Sequence, residues 1–308
     1  MERTSTVAAM TDPHHHHHHH APVHLTEAEW ASYAVQTELQ GEVFNRFLTD
    51  TIEWIATFRS ADAAPVRRVL DIGSGPGVST CQLALSYPDA DVTAVDASPA
   101  MLAAVMARTE RLGLGERVHT ALAELPDGLA DFEDIDLIWA SMSLHHIGDE
   151  VRALRTLRGL LRPSGITAIA ELADPTRLLP DDLGFGRPGL AERVEAAGAA
   201  WFIDMRHGLA DSVGAGDLSS KLTAAGFDVL GARIARDRLD APLNNTARQV
   251  ANGELLRIRT QLGDRLDADD TQTLDILLDD SDPRAAVHRP DLFIDSSRQI
   301  VLARPAGG

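Results

Sequence analysis

One cysteine, Cys81, stands in 308 residues, so no disulfide can close within the chain. Its place on a helical stretch predicts a small core residue rather than a reactive thiol. Aromatic residues make up only 5% of the sequence, which makes each of the four tryptophans a landmark for packing. Positive charge is the scarcer sign: 28 Lys and Arg stand against 46 Asp and Glu, for a net charge of −18, with no basic run. So acidic a surface repels phosphate backbones and anionic lipid, and excludes nucleic acid and membrane surfaces as expected partners. No apolar run approaches the roughly 20 residues needed to cross a bilayer. The N-terminus also lacks the charged-then-apolar pattern of a signal peptide. These absences predict a soluble, cytoplasmic protein. The 44% hydrophobic content is enough for the core of one large α/β domain with additions, or of two small domains.

The most informative stretch is VLDIGSGPGVST, Val69 to Thr80. Val69 and Leu70 end an apolar run that reads as a buried strand, Asp71 lies at its carboxyl end, and Gly73-Ser74-Gly75-Pro76-Gly77 makes a tight turn into a helix. Strand, glycine turn and helix in that order open a βα unit that binds a nucleotide-like ligand. Residues without a Cβ let the main chain lie against the ligand, and the helix behind them presents unpaired amides. A dinucleotide fingerprint requires Gly-x-Gly-x-x-Gly. Here its last glycine position holds Val78, which disfavours a nicotinamide dehydrogenase.

Before this unit, residues 1–21 read as a disordered tail with seven consecutive histidines, His14 to His20. Such a run can hold Zn²⁺ or Ni²⁺ and is either native or an engineered tag; the expected reading gives it no part in catalysis. Residues 22–65 read as a helical cap. Thr26 to Glu29 resembles a capping box, and apolar spacing predicts helices over 26–38 and 40–59. Trp30, Tyr33 and Gln36 there are set either to touch substrate or simply to pack.

Strands are expected at 67–72, 91–96, 117–120, 135–141, 166–172 and 227–236, with a closing strand at 293–303. Helices alternate with most of them, which argues for a doubly wound, mostly parallel sheet within residues 66–308. Ser98 and Pro99 read as N-cap and first residue of one such helix. Residues 173–216, rich in Pro and Gly, break the rhythm and predict a lid insertion; 241–285 reads as a second, helical insertion, with helices at 246–262 and 268–278. Apolar faces on the N-terminal or 246–278 helices leave a homodimer open.

The Asp-x-Gly-x-Gly-x-Gly pattern from Asp71 to Gly77 resembles motif I of the class I S-adenosylmethionine-dependent methyltransferases. Three further stretches resemble the same family: the strand ending in Asp96-Ala97, Ala123-Glu124-Leu125-Pro126, and ASMSLHHIGD from Ala140 to Asp149. The resemblance implies a seven-stranded sheet in the order 3-2-1-4-5-7-6 with strand 7 antiparallel. It implies S-adenosyl-L-methionine as cofactor, held by Asp71, Gly73, Ser74, Gly75, Gly77, Asp96, Ala97, Met101, Glu124, Leu125 and Ala140. Asp96 would accept from the ribose hydroxyls and Glu124 would meet the adenine amino group, one methylene longer than the Asp usual there. Met101 would lie on the adenine face or in the helix core. The implied reaction is methyl transfer to a small molecule, of the secondary-metabolite kind, at O, N or C. A general base is needed only for an acceptor protonated at neutral pH. His145, His146, Glu171 and His207 are the candidates, Glu171 also as an amine anchor. No spacing of Cys, Asp and His suggests a catalytic metal. Two rival readings stay open: an enzyme of the same fold doing non-methylating chemistry such as cyclisation, and a non-enzymatic binding module.

Overall fold

The computed structural model describes residues 27–59, 64–209 and 216–307; the histidine run, Thr26 and the side chain of Trp30 lie outside what it describes. The sheet consists of β1 (Arg68–Ile72), β2 (Asp91–Asp96), β3 (Val118–Leu122), β4 (Ile135–Ser141), β5 (Leu161–Arg177), β6 (Phe227–Leu239) and β7 (Ile294–Pro305). The strand order is β3-β2-β1-β4-β5-β7-β6, as the resemblance implies. β1 to β5 pair in parallel, while β7 runs antiparallel to both β5 and β6. β4 is buried along IDLIWA because helices cover both its faces, the ordinary condition of a central parallel strand.

On one flank lie α3 (Val78–Ser86) and α4 (Pro99–Arg111); α5 (Glu150–Leu160) and α7 (Leu218–Ala224) cover the other. Ser98 caps α4 by accepting from the Met101 amide, with Pro99 at the first helical position. Cys81 is buried on α3, its Sγ 3.9 Å from the Thr109 hydroxyl. The insertion after β5 folds into α6 (Leu190–Gly208); the second insertion gives α8 (Asn245–Leu262) and α9 (Ala268–Leu278).

The N-terminal helices differ from expectation. α1 (Glu27–Val43) runs past the break expected near residue 39, and α2 (Arg46–Ala56) starts later. Gly41 does not end a helix. It lies within α1 where Val78 packs, and a Cβ there would stand 2.8 Å from Val78 Cγ2. The cap also shares the main core: Phe44, Phe47, Leu48 and Ile55 are buried with Val69, Trp139 and Ile300. The Arg298 guanidinium of β7 lies 4.7 Å from the Phe44 ring and 4.6 Å from that of Phe47, facing Asp237. Burial holds its pKa below the ordinary arginine value, with Asp237 acting against that.

Among the described residues no helix is long and apolar enough to cross a membrane, and no group of three His, Cys, Asp or Glu converges to hold a metal.

Candidate active site

The carboxyl ends of β1, β2 and β4 meet at the point where the strand order reverses, the position at which open α/β sheets bind ligands. Gly73, Gly75 and Gly77 all take positive φ, +66°, +53° and +83°, which side chains with a Cβ adopt only under strain. A Cβ on Gly73 would overlap the Ser143 Cβ, whereas one on Gly75 would meet only Thr37 of α1, at 3.7 Å. The turn therefore presents bare main chain toward the crevice. Asp96, half-buried at the end of β2, ties it in place: the Gly75 amide donates to Oδ2 at 2.9 Å and the Ser98 amide to Oδ1 at 2.8 Å. Each carboxylate oxygen keeps a lone pair for further donors. Burial raises the Asp96 pKa, and these amide bonds pull it back.

The structure places the other candidate cofactor residues at different depths. Gly73, Ala97 and Glu124 are exposed at the crevice, and Leu125 is half-buried beside them. Ser74, Met101 and Ala140 are buried, so Met101 serves the α4 core in this arrangement. Asp71 is 1% exposed beneath the turn and accepts from Thr80 Oγ1 at 2.6 Å. Desolvation, with Thr80 opposing and Asp96 adding, pushes its pKa up to about 7. A carboxyl raised in this way binds a proton more readily in the folded than in the unfolded chain. Its stabilising contribution is therefore full below the ordinary aspartate value of 3.8 and is lost as pH rises through about 7. The three-unit window corresponds to on the order of 4 kcal/mol. Thermal unfolding followed from pH 5 to 8 is expected to show the melting temperature falling, and Asp71→Asn is expected to flatten that fall. A wild-type curve already flat over this range would contradict the assignment.

The second half of the site lies at the ends of β4 and β5. Met142 takes a left-handed φ of +56°, strain of about 1 kcal/mol or more that surrounding bonds must offset. They do: the Met142 amide donates to the Ala170 carbonyl, and the Ser143 and Leu144 amides both donate to Glu171 Oε1, at 3.2 and 2.9 Å. Ser143 Oγ donates to the Ile72 carbonyl, which stitches this turn to the glycine turn. The other Glu171 oxygen, Oε2, accepts from His145 Nδ1 at 2.7 Å. With the Nδ1 proton held there, Nε2 of a neutral ring carries the lone pair. Glu171 is thus shared between the turn and the imidazole, and its Oε2, which accepts one bond, also faces the cavity.

His146 lies beside His145, ring centroids 4.1 Å apart and planes tilted by 44°. Desolvation, then His145 and Arg206, hold its pKa down to about 4 against the pull of Glu171, although the residue is exposed. His207 is exposed on α6. Its neighbour Arg206 instead turns to the His145 loop, donating to the carbonyls of His145, Ile147 and Gly148. Phe202, one helical turn earlier, brings its ring 6.1 Å from that of His145. Gln36 packs against Gly253 of α8, and Tyr33 is 51% exposed. A cavity of about 210 Å³ opens beside the His145–Glu171 pair, lined by Leu144, Leu154, Leu172, Phe202, Leu218 and Lys221 among others.

These features define a Rossmann-like domain of the methyltransferase type, and comparison with known proteins agrees. Residues 69–165 match the profile of a methyltransferase domain. A trans-aconitate 2-methyltransferase of Methylobacterium radiotolerans is 36% identical over 139 residues, 42% of this chain and 51% of that protein. A malonyl-[acyl-carrier protein] O-methyltransferase of Laribacter hongkongensis is 32% identical over 205 residues, 64% of this chain and 60% of that one. The chain thus spans about half to three fifths of the length of these two curated relatives. A solved structure from Bacillus halodurans C-125, a candidate methyltransferase, superposes with a TM-score of 0.51 at 13% identity, covering 83% of this chain and 98% of that one, and supports the fold. Over residues 69–165 the chain is similar to methyltransferase domains, and its strand order is the one that the resemblance to the class I S-adenosylmethionine-dependent methyltransferases implies.

Proposed function

We propose that this protein transfers a methyl group from S-adenosyl-L-methionine to a hydroxyl, or another group protonated at neutral pH, on a small molecule of apolar body. The observation that supports this most directly is the oriented imidazole beside the bare glycine turn: Glu171 Oε2 on His145 Nδ1 at 2.7 Å. An acceptor that has already lost its proton at neutral pH would need no such base. The glycine turn, Asp96, Ala97, Glu124 and Leu125 would hold the cofactor, with Asp96 on the ribose. When bound, the cofactor supplies an electrophilic methyl group on a sulfonium. The chain's own part is to bind, to orient and to manage a proton. His145 Nε2 takes the proton of the acceptor hydroxyl, and Glu171 keeps the Nδ1 proton in place and stabilises the imidazolium. His146, whose pKa is held down to about 4, stays neutral at pH 7 and serves as a packing neighbour.

Leu172 and Phe202, each 42% exposed at the cavity mouth, suit an apolar acceptor body, while a net charge of −18 argues against nucleic acid as substrate. A cytoplasmic enzyme of secondary metabolism is the setting this reading implies.

The test has two stages. Calorimetry with S-adenosylhomocysteine is expected to show binding; its absence removes the proposal. Methyl-labelled cofactor is then incubated with a panel of hydroxyl-bearing small molecules. Binding without label transfer to any of them would favour non-methylating chemistry on the same fold.

A further inference from the structure

The turn that carries His145 is gripped at both ends. Its amide side, the N–H groups of Ser143 and Leu144, rests on the Glu171 carboxylate from β5. Its carbonyl side rests on a cation from a different element. Arg206 Nη1 of α6 donates to the carbonyls of His145 at 3.0 Å and Ile147 at 2.6 Å, and Nη2 to that of Gly148 at 3.4 Å. An anion at the amide end and a cation at the carbonyl end match the dipole of the turn. The Arg206 side chain is 13% exposed, so these bonds compete little with water. The nearest carboxylate, Glu150, is farther away at 3.6 Å and has a closer partner in Lys221, the only lysine of the sequence. The carbonyls are therefore the principal partners of Arg206, and a planar guanidinium meets them from two nitrogens where an ammonium offers one.

Building on the reading of His145 as the base, we propose that Arg206 is a positioning residue for it. By fixing the His145 carbonyl it fixes the backbone from which the imidazole projects, and so keeps Nδ1 on Glu171. Phe202 on the same face of α6 backs the ring, so the helix inserted after β5 sets the aim of the base as well as walling the cavity. The charged and titratable groups around the ring are Glu171 from β5, His146 from its own turn, Arg206 from α6, and Glu150 and Lys221 across the cavity.

The test reads the His145 Nδ1 proton by NMR in protein labelled with ¹⁵N-histidine, the resonance being identified by its loss in His145→Asn. In Arg206→Ala, solvent exchange of this proton is expected to quicken about tenfold or more, the scale of one lost hydrogen bond. Circular dichroism monitors α6 and the overall fold. Arg206→Lys, which replaces two donor nitrogens by one on a shorter side chain, is expected to show an increase of about threefold. Glu150→Gln, which removes the ion pairs to Arg206 and Lys221 and leaves the carbonyl bonds in place, is expected to leave the rate unchanged. Wild-type exchange in either folded Arg206 variant overturns the proposal, as does an equal rise in Glu150→Gln, which would move the effect to the ion pair. If Arg206→Ala does not fold, the lysine variant decides by the same criterion. The measurement uses neither cofactor nor acceptor, so failure to bind S-adenosylhomocysteine counts against methyl transfer alone.

Discussion

Glu171→Gln is expected to lower kcat about as far as His145→Ala, by roughly 10²- to 10⁴-fold, the usual contribution of a positioned base. The glutamine case is the more telling because it changes so little. Its amide oxygen can still accept from the Ser143 and Leu144 amides, as Glu171 Oε1 does. Its NH₂ group, however, would face His145 Nδ1 where a carboxylate oxygen now accepts at 2.7 Å. Two donors cannot share that contact, so the ring is driven to the tautomer that carries its proton on Nε2. A base with its lone pair turned away accepts no proton from the acceptor. Both variants should keep S-adenosylhomocysteine affinity within a few-fold of wild type and should melt within a few degrees of it. Steady-state kinetics with labelled cofactor checks the first expectation and calorimetry the second. A Glu171→Gln enzyme with wild-type kcat would remove the base from the mechanism. His146→Ala is the internal comparison and should be far milder.

The second large effect is expected at Asp96. Asp96→Ala should weaken S-adenosylhomocysteine binding by about 100-fold or more, because hydrogen bonds from ribose hydroxyls to a carboxylate are charge-assisted and each contributes roughly 1.5–3 kcal/mol. The same change also frees the Gly75 and Ser98 amides, so the glycine turn loses its anchor as the ligand loses its partner. Asp96→Asn separates the two effects. It keeps one acceptor oxygen for the turn and should fall between alanine and wild type. Glu124→Ala should cost only a few-fold, since that side chain is exposed and water competes for its bonds. Equal losses at Asp96 and Glu124 would mean that the crevice does not hold a ribose where it is placed here.

The parts of the molecule that could be read from the chain were those governed by local rules. β2, β4 and α9 fall at the residues expected, because short apolar runs between turn signals and a capped amphipathic stretch carry their own boundaries. Ser98 and Pro99 likewise announce a helix start wherever they stand. What could not be read depends on distant partners. β5 runs from Leu161 to Arg177, beyond the expected 166–172, because β7 pairs with it as far as Arg177 opposite Asp295; the insertion therefore starts later than residue 173. α6 runs from Leu190 to Gly208 within a stretch whose Pro and Gly content predicts a lid insertion; residues 210–215 of the insertion lie outside the described structure.

The candidate site divides in the same way. Its location and its glycine, carboxylate and histidine residues were visible as a pattern at strand ends. The role of Glu171 was not, since nothing local says that its two oxygens would be shared between a turn and a ring. Arg206 gave no signal at all. An arginine on a polar helix reads as a solvated surface charge, and only the packing of α6 on the loop after β4 turns it inward.

Arg298 between Phe44 and Phe47 bears on how this protein can be shortened. A fragment that began at β1 would strip two aromatic rings from a buried guanidinium and lay bare the apolar flank on which Leu48 and Ile55 rest. It would aggregate rather than report on the catalytic half alone. Trimming for crystallisation or fusion must stop ahead of Glu27, because the leading helices are masonry of the same wall as the last strand.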